Sequence, residues 1–294
     1  MTYDYFSPDE KELVSIIEKN IDSDDRLVKA QTIQTGWTNI TMDVQTQKTS
    51  YIFRFPRNFF FARMMIKDCH FCQFLKGKVS VQTPDMQLKF DNNRPFSMHQ
   101  KIKGVSLTSR MDNLSPEEEK RIATDIVQFL SELHAIPVSD MPADIAESLN
   151  DFLTGLASVH KGNYDLEKHN NLITMEKTSE SPVIIHGDFN PGNILLDENA
   201  HLSGVIDFAF ASISDKHADI GRFVGRATPS LGKAVLSVYQ AQNPCDEIKV
   251  QHIVDLFKYV EYKYVQYMQA EHPEIIIPDA VLAMAEQEEK RFNA

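Results

Sequence analysis

The residues best suited to chemistry are Asp188, Asn193 and Asp207. Asp188 and Asn193 belong to VIIHGDFNPGNILLD, Val183–Asp197, where two apolar runs flank a loop rich in Asp, Asn, Gly and Pro. Asp207 closes a further apolar run, in GVIDFAF. Between NILLD and LSGVID the residues ENAH have turn composition, so a hairpin returns Asp207 to the neighbourhood of Asn193. An amide oxygen and a carboxylate are hard oxygen donors, suited to Mg2+ rather than zinc. Asp188, close by, is then placed to accept a proton from a nucleophile. Metal, base and room for a polyphosphate together describe a phosphoryl-transfer site.

These residues need elements to hold them. In SPDEKELVSIIEKN, Ser7 can cap a helix, Pro8 suits the first helical position and Glu10 completes a capping box. Thr, Ile, Val, Tyr and Phe dominate KAQTIQTGWTNITMDVQTQKTSYIFRFPR, which reads as strands broken by turns at Gly36 and at TQKTS. MMIKDCHFCQFLKG is helix-like and stops at Gly77. Strand signals return at RPFSMHQKIKG. The first cap then recurs at Ser115, Pro116 and Glu118, ahead of the helical stripe Ile122, Ile126, Phe129, Leu130 and Leu133. LSGVIDFAF reads as one more strand, and the remainder as mostly helix. The chain therefore reads as α+β, with a strand-rich N-terminal part over residues 1–100 and a helix-rich part over 101–294, joined near QKIKG.

Composition bounds the partners. A chain of 294 residues that is 42% hydrophobic and 24% charged builds a substantial core and a soluble surface. No apolar run approaches membrane-span length, and MTYDYFSPDEKELV has acids where a signal peptide has bases, so a cytoplasmic protein without a membrane partner is expected. A net charge of -12 argues against nucleic acid and either favours cationic partners or serves solubility alone. Three cysteines are too few for a disulfide framework. Cys69 and Cys72 have redox or half-zinc spacing, but in a helical stretch they read as packed thiols.

HGDFNPGN resembles the H-x-D-x-x-x-x-N catalytic loop of the aminoglycoside phosphotransferases, relatives of the protein kinases. GVIDFAFASISDKHADIGR is similar to their G-x-I-D … D-x-x-x-D segment, with Asp207, Asp215 and Asp219 in register. KIKGVSLT and FLSELHAIPVS are most like the 2''-type enzymes. The resemblance implies a bilobal protein-kinase-like fold acting as a monomer. It implies an ATP- or GTP-dependent, Mg2+-assisted transfer to a hydroxyl of an aminoglycoside, as in antibiotic resistance. Asp188 would be the base, and Asn193 and Asp207 the metal ligands. Gln100 and Ile102 would offer backbone groups to the nucleotide base, and the turn with Gly36 and Thr38 would cover its phosphates. His186 and Asp219 would brace the loop. Asp219, Asp255, Glu261 and Glu271 are candidate acids for a cationic acceptor.

Two positions depart from the family pattern. Arg54 stands where a phosphate-binding Lys is usual, and Asp68 where its Glu partner is usual. Arg54-Phe55-Pro56-Arg57 also resembles the macrolide phosphotransferases. A macrolide, or a sugar or amino-alcohol metabolite, is therefore an alternative acceptor, and a nucleotide-binding pseudokinase an alternative class. A metallophosphoesterase could use Asp68, His70 and Asp188, but the chain lacks its later His ligands.

Overall fold

The computed structural model describes residues 9–33, 38–143, 145, 181–243, 245–247, 249–251 and positions 254, 265, 269, 277, 279, 282 and 283. The chain divides into two compact units: Met1–Lys76 with Thr83–Ile102, and Gly77–Gln82 with Lys103–Ala294.

The first unit is built on a five-stranded antiparallel sheet of order β1-β2-β3-β5-β4. Its strands are β1 (Leu27–Ile33), β2 (Asn39–Thr46), β3 (Ser50–Pro56), β4 (Gln87–Asp91) and β5 (Arg94–Gln100). The period-two alternation of β3 sorts its side chains. Tyr51, Phe53 and Phe55 turn to one face and join Phe96 and Met98 against Leu13, Ile16 and Ile17 of α1 (Glu10–Asn20). Phe53, Phe55 and Phe96 stack there with ring centroids 5.4–6.3 Å apart. Arg54 turns to the other face, where α2 (Phe59–Leu75) packs. Helix α1 begins two residues later than a Ser7 cap implies. Its cap is Asp9, whose carboxylate accepts the Glu12 N–H at 2.8 Å, while Ser7 and Pro8 lie outside the described residues. Asp is as good a cap as Ser, so the acid-rich start offered two solutions. Helix α2 is capped by Asn58 and ends before Gly77, which takes φ +74°.

In the second unit, α3 (Pro116–His134) has the expected capping box. Ser115 N–H donates to Glu118 at 2.8 Å, and Glu118 N–H donates to the Ser115 hydroxyl at 3.3 Å. Its stripe of Ile122, Ile126, Phe129, Leu130 and Leu133 is buried, and the helix packs on β7 (Val183–Ile185) and α5 (Pro229–Gln242). Strand β7 pairs with β10 (Ser212–Ser214). Strands β6 (Val105–Ser106), β8 (Ile194–Leu196) and β9 (Leu202–Val205) form a second small sheet, with β8 and β9 the expected hairpin. Asp197 closes that turn by accepting the N–H groups of Asn199 and His201. The run LSGVIDFAF is a strand only to Val205; Asp207 takes φ +68°, which no strand accommodates. Helix α4 (His217–Val224) follows β10. Among the described residues no helix is long and apolar enough to cross a membrane.

Candidate active site

The loop between β7 and β8 is held from beneath. Asp219, on α4, is fully buried, and its carboxylate accepts the N–H groups of His186 at 2.9 Å and Gly187 at 3.0 Å. His134 Nε2, at the end of α3, reaches the same carboxylate at 3.1 Å. Buried N–H groups need partners, so one side chain stabilises three donors at once. The expectation that Asp219 also meets an acceptor does not stand, because the side chain is fully buried. Its other expected part, bracing the loop, describes these contacts. Gly187 has φ +78°, and a Cβ there would come 2.0 Å from the Phe210 carbonyl oxygen, so the turn admits only glycine.

His186 is also buried. Its Nε2 donates to the Ile206 carbonyl at 3.1 Å, and its Nδ1 accepts the Asp188 N–H at 3.2 Å. One donor and one acceptor make the neutral imidazole, protonated on Nε2. The ring thus ties the loop to the chain entering Asp207. A second tie is direct: Ile206 N–H donates to the Asn193 carbonyl at 2.9 Å. Asn193 and the residue preceding Asp207 are therefore hydrogen-bonded neighbours, as the hairpin argument required.

Asp188 is part-buried and densely bonded. Arg222 Nε donates to its Oδ1 at 2.6 Å, and Asn190 Nδ2 to the same oxygen at 3.0 Å. Asn193 Nδ2 donates to Oδ2 at 3.1 Å and to the Asp188 carbonyl at 2.9 Å. Burial pushes the Asp188 pKa up, but the Arg222 charge and these hydrogen bonds outweigh it and hold the carboxyl below the ordinary carboxylate range. It is a carboxylate at neutral pH. Sequence reasoning missed Arg222 and Asn190. Asn190-Pro191-Gly192 carries a legible turn signal, realised as Asn190 Oδ1 accepting the Gly192 N–H at 2.8 Å. Arg222 had only its three-residue spacing from Asp219 on one helix.

The residues fit a hard cation. The Asn193 amide nitrogen is committed to Asp188, so its oxygen is the atom left to a metal. Asp207 holds a left-handed backbone that costs a non-glycine residue about 1–3 kcal/mol and that recurs at functional sites. Two protein oxygens completed by substrate phosphates are a usual Mg2+ set. Among the described residues no three His, Cys, Asp or Glu side chains gather as a metal cluster. Asp68, Cys69 and His70 lie on α2 of the first unit, and Asp188 lies in the second.

In the first unit Arg54 forms an ion pair with the fully buried Asp68. The Cys72 thiol donates to the other Asp68 oxygen at 3.5 Å. Cys69 and Cys72 are free and buried, and burial pushes the Cys69 thiol up to about 12 and Cys72 well above its usual value. They are packed, unreactive thiols. Gln100 ends β5 opposite Tyr51, its carbonyl accepting from His99 Nδ1 at 2.8 Å, and Ile102 is buried. The Thr38 hydroxyl accepts from Asn39 Nδ2 at 2.9 Å. Gly36, Asp255, Glu261 and Glu271 lie outside the described residues.

Residues 29–246 match the profile of the phosphotransferase enzyme family, most of the chain, and the chain belongs to that family. Its fold is protein-kinase-like. An aminoglycoside 3'-phosphotransferase of Escherichia coli is 27% identical over 146 residues, 44% of this chain and 53% of the relative. The chain spans about half the length of the curated relatives it matches. The GDP and kanamycin complex of a 2''-type aminoglycoside phosphotransferase superposes with a TM-score of 0.73 at 21% identity, covering 95% of this chain and 98% of that one. A macrolide 2'-phosphotransferase of Brachybacterium faecium superposes with a TM-score of 0.62 at 14% identity, covering 87% and 90%. Both likenesses are of fold.

Proposed function

We propose that this protein transfers the γ-phosphoryl group of ATP or GTP to a hydroxyl of an aminoglycoside. The observation that carries the reading is Asp188, an ionised carboxylate bound to Asn193, with Asn193 bound to the residue before Asp207. Asp188 takes the proton of the acceptor hydroxyl, the hydroxyl oxygen bonds to the γ-phosphorus, and the nucleoside diphosphate leaves. Asn193 and Asp207 would hold Mg2+, which offsets charge on the phosphates. The Arg54 guanidinium, fixed by Asp68, suits phosphate oxygens because its planar fork binds them bidentately. The Gly36–Thr38 turn would cover them, and the backbone at Gln100 and Ile102 would meet the base. The free thiols fit a reducing cytoplasm.

The aminoglycoside reading is supported by the similar enzymes and by the net charge of -12. One observation favours a less cationic acceptor such as a macrolide. Helices α4 and α5 together contain a single acid, the buried Asp219, against Arg222 and Lys233. A panel of aminoglycosides, macrolides and amino alcohols, assayed for nucleoside diphosphate release with ATP and with GTP, tests the reading. Release with an aminoglycoside supports it. Release with a macrolide alone replaces the acceptor, and nucleotide binding with no turnover on any acceptor indicates a pseudokinase.

A further inference from the structure

Arg222 makes the shortest contact to the Asp188 carboxylate. Its Nε and a terminal nitrogen both meet Asp188 Oδ1, with the two side chains 13% and 17% exposed. Without Arg222 the carboxylate would be held evenly. Asn190 donates to Oδ1 and Asn193 to Oδ2, at 3.0 and 3.1 Å. An ionised carboxylate oxygen offers about two lone-pair directions. Two amides, one on each oxygen, therefore leave each oxygen with one open direction. Arg222 breaks that symmetry: Oδ1 becomes saturated, and Oδ2 keeps room for one more donor.

We propose that Arg222 is a positioning residue for phosphoryl transfer, pinning Oδ1 so that Oδ2 alone accepts the proton of the attacking hydroxyl. The proposal rests on the phosphotransfer reading and deepens it. The hydroxyl proton passes to Oδ2, and the hydroxyl oxygen forms the new bond to the γ-phosphorus. The bond from that phosphorus to the bridging oxygen breaks, its electron pair leaving with the nucleoside diphosphate. Arg222 touches none of the reacting atoms. Two of its nitrogens close on the one oxygen Oδ1, so the planar guanidinium holds that oxygen from two directions where a lysine ammonium would hold it from one. Phosphoryl transfer depends chiefly on such alignment.

The test compares Arg222→Met, Arg222→Lys and Arg222→Ala with the parent. In the Met variant the nucleotide dissociation constant and acceptor KM should stay near the parent's, while kcat falls on the order of 10²-fold, the scale of a small misplacement. The Lys variant should recover part of kcat. Added guanidinium ion should raise kcat of the Ala variant saturably and leave the parent unchanged. A Met variant with the parent's kcat overturns the proposal. So does joint loss of kcat, both affinities and melting temperature without guanidinium rescue, which marks a structural role. If the Met variant does not fold, the Lys variant decides: full kcat there shows that charge suffices and overturns the fork. If the parent phosphorylates no acceptor, the acceptor reading fails separately. Arg222 is then read on nucleoside triphosphate hydrolysis, where water gives its proton to the same oxygen. A guanidinium-rescued fall in that rate supports the proposal, and an unchanged rate, or no hydrolysis by the parent, overturns it.

Discussion

At the scale of single residues, the proposed reaction assigns proton transfer to Asp188 and metal holding to Asn193 and Asp207, and each assignment is testable. Asp188→Asn keeps shape but removes proton acceptance. Turnover should fall roughly 10²- to 10⁴-fold, the usual contribution of a general base, while Mg2+-nucleotide binding stays near normal. Acceptor phosphorylation by the variant at most of the parent's rate would refute the assignment. For Asp207 the left-handed backbone dictates the choice of variant. Alanine there adds conformational strain to the lost ligand, whereas Asn tolerates φ +68°. Asp207→Asn should weaken nucleotide binding only when Mg2+ is present, and converge with the parent in a chelator. A loss of affinity that survives chelation would make Asp207 structural. Asp188, Asn193 and Asp207 were legible because they lie in one short stretch whose turns are written in Gly, Asn and Pro. The Arg222 contact was not, because it spans 34 residues and depends on how α4 is rotated against the loop.

At the scale of elements, two glycines with nearly the same backbone separate conformational cost from crowding. Gly77 has φ +74° and open space around its missing Cβ, while Gly187 has φ +78° and the Phe210 carbonyl at 2.0 Å. Alanine at Gly77 should cost only the left-handed penalty, about 1–2 kcal/mol, with activity intact. Alanine at Gly187 must also displace the loop, so melting temperature and turnover should fall together; equal effects at the two sites would contradict this. A third element is pH-sensitive. Asp215, just before α4, binds His217 and Lys249, and the Asp246 N–H donates to His217 Nε2 at 3.1 Å, tying α4 to the chain beyond α5. Burial raises the Asp215 pKa, but the bonds from His217 and Lys249 outweigh it and depress it. A depressed carboxyl contributes stability above its unfolded value of about 3.9 and loses it as pH falls below. Asp215→Asn should therefore melt below the parent at pH 7, with the gap narrowing below about pH 4. A gap that stays constant with pH would exclude the ion pair as its source. Helix caps were legible in the sequence where the signal was local and single, as at Ser115. They were ambiguous where Ser7 and Asp9 competed. The end of β9 was hidden, because the apolar pattern continues through Asp207 while its backbone does not.

At the scale of the whole molecule the question is how a chain of net charge -12 would meet a polycation. Charge steers encounter over distances comparable to the Debye length, about 10 Å at 0.1 M salt. Contact is decided locally. A carboxylate–ammonium pair at about 4 Å is worth about 1 kcal/mol in water and about 4 at an effective dielectric of 20. Several pairs in a cleft are needed for selective binding. The stretch from Ile220 to Asn243 supplies none, since it contains no Asp or Glu and carries Arg222, Arg226 and Lys233. The burden falls on the later acids, Asp255, Glu261 and Glu271 among them. Replacing these with Asn or Gln should raise the acceptor KM and leave the nucleotide KM alone. Acceptor affinity of the parent should fall steeply with salt for an aminoglycoside and much less for a macrolide with one amine. Each acid removed should flatten the aminoglycoside slope. If all three replacements leave both the KM and the salt slope unchanged, the cationic acceptor is wrong, and a hydroxyl compound of low charge takes its place before Asp188.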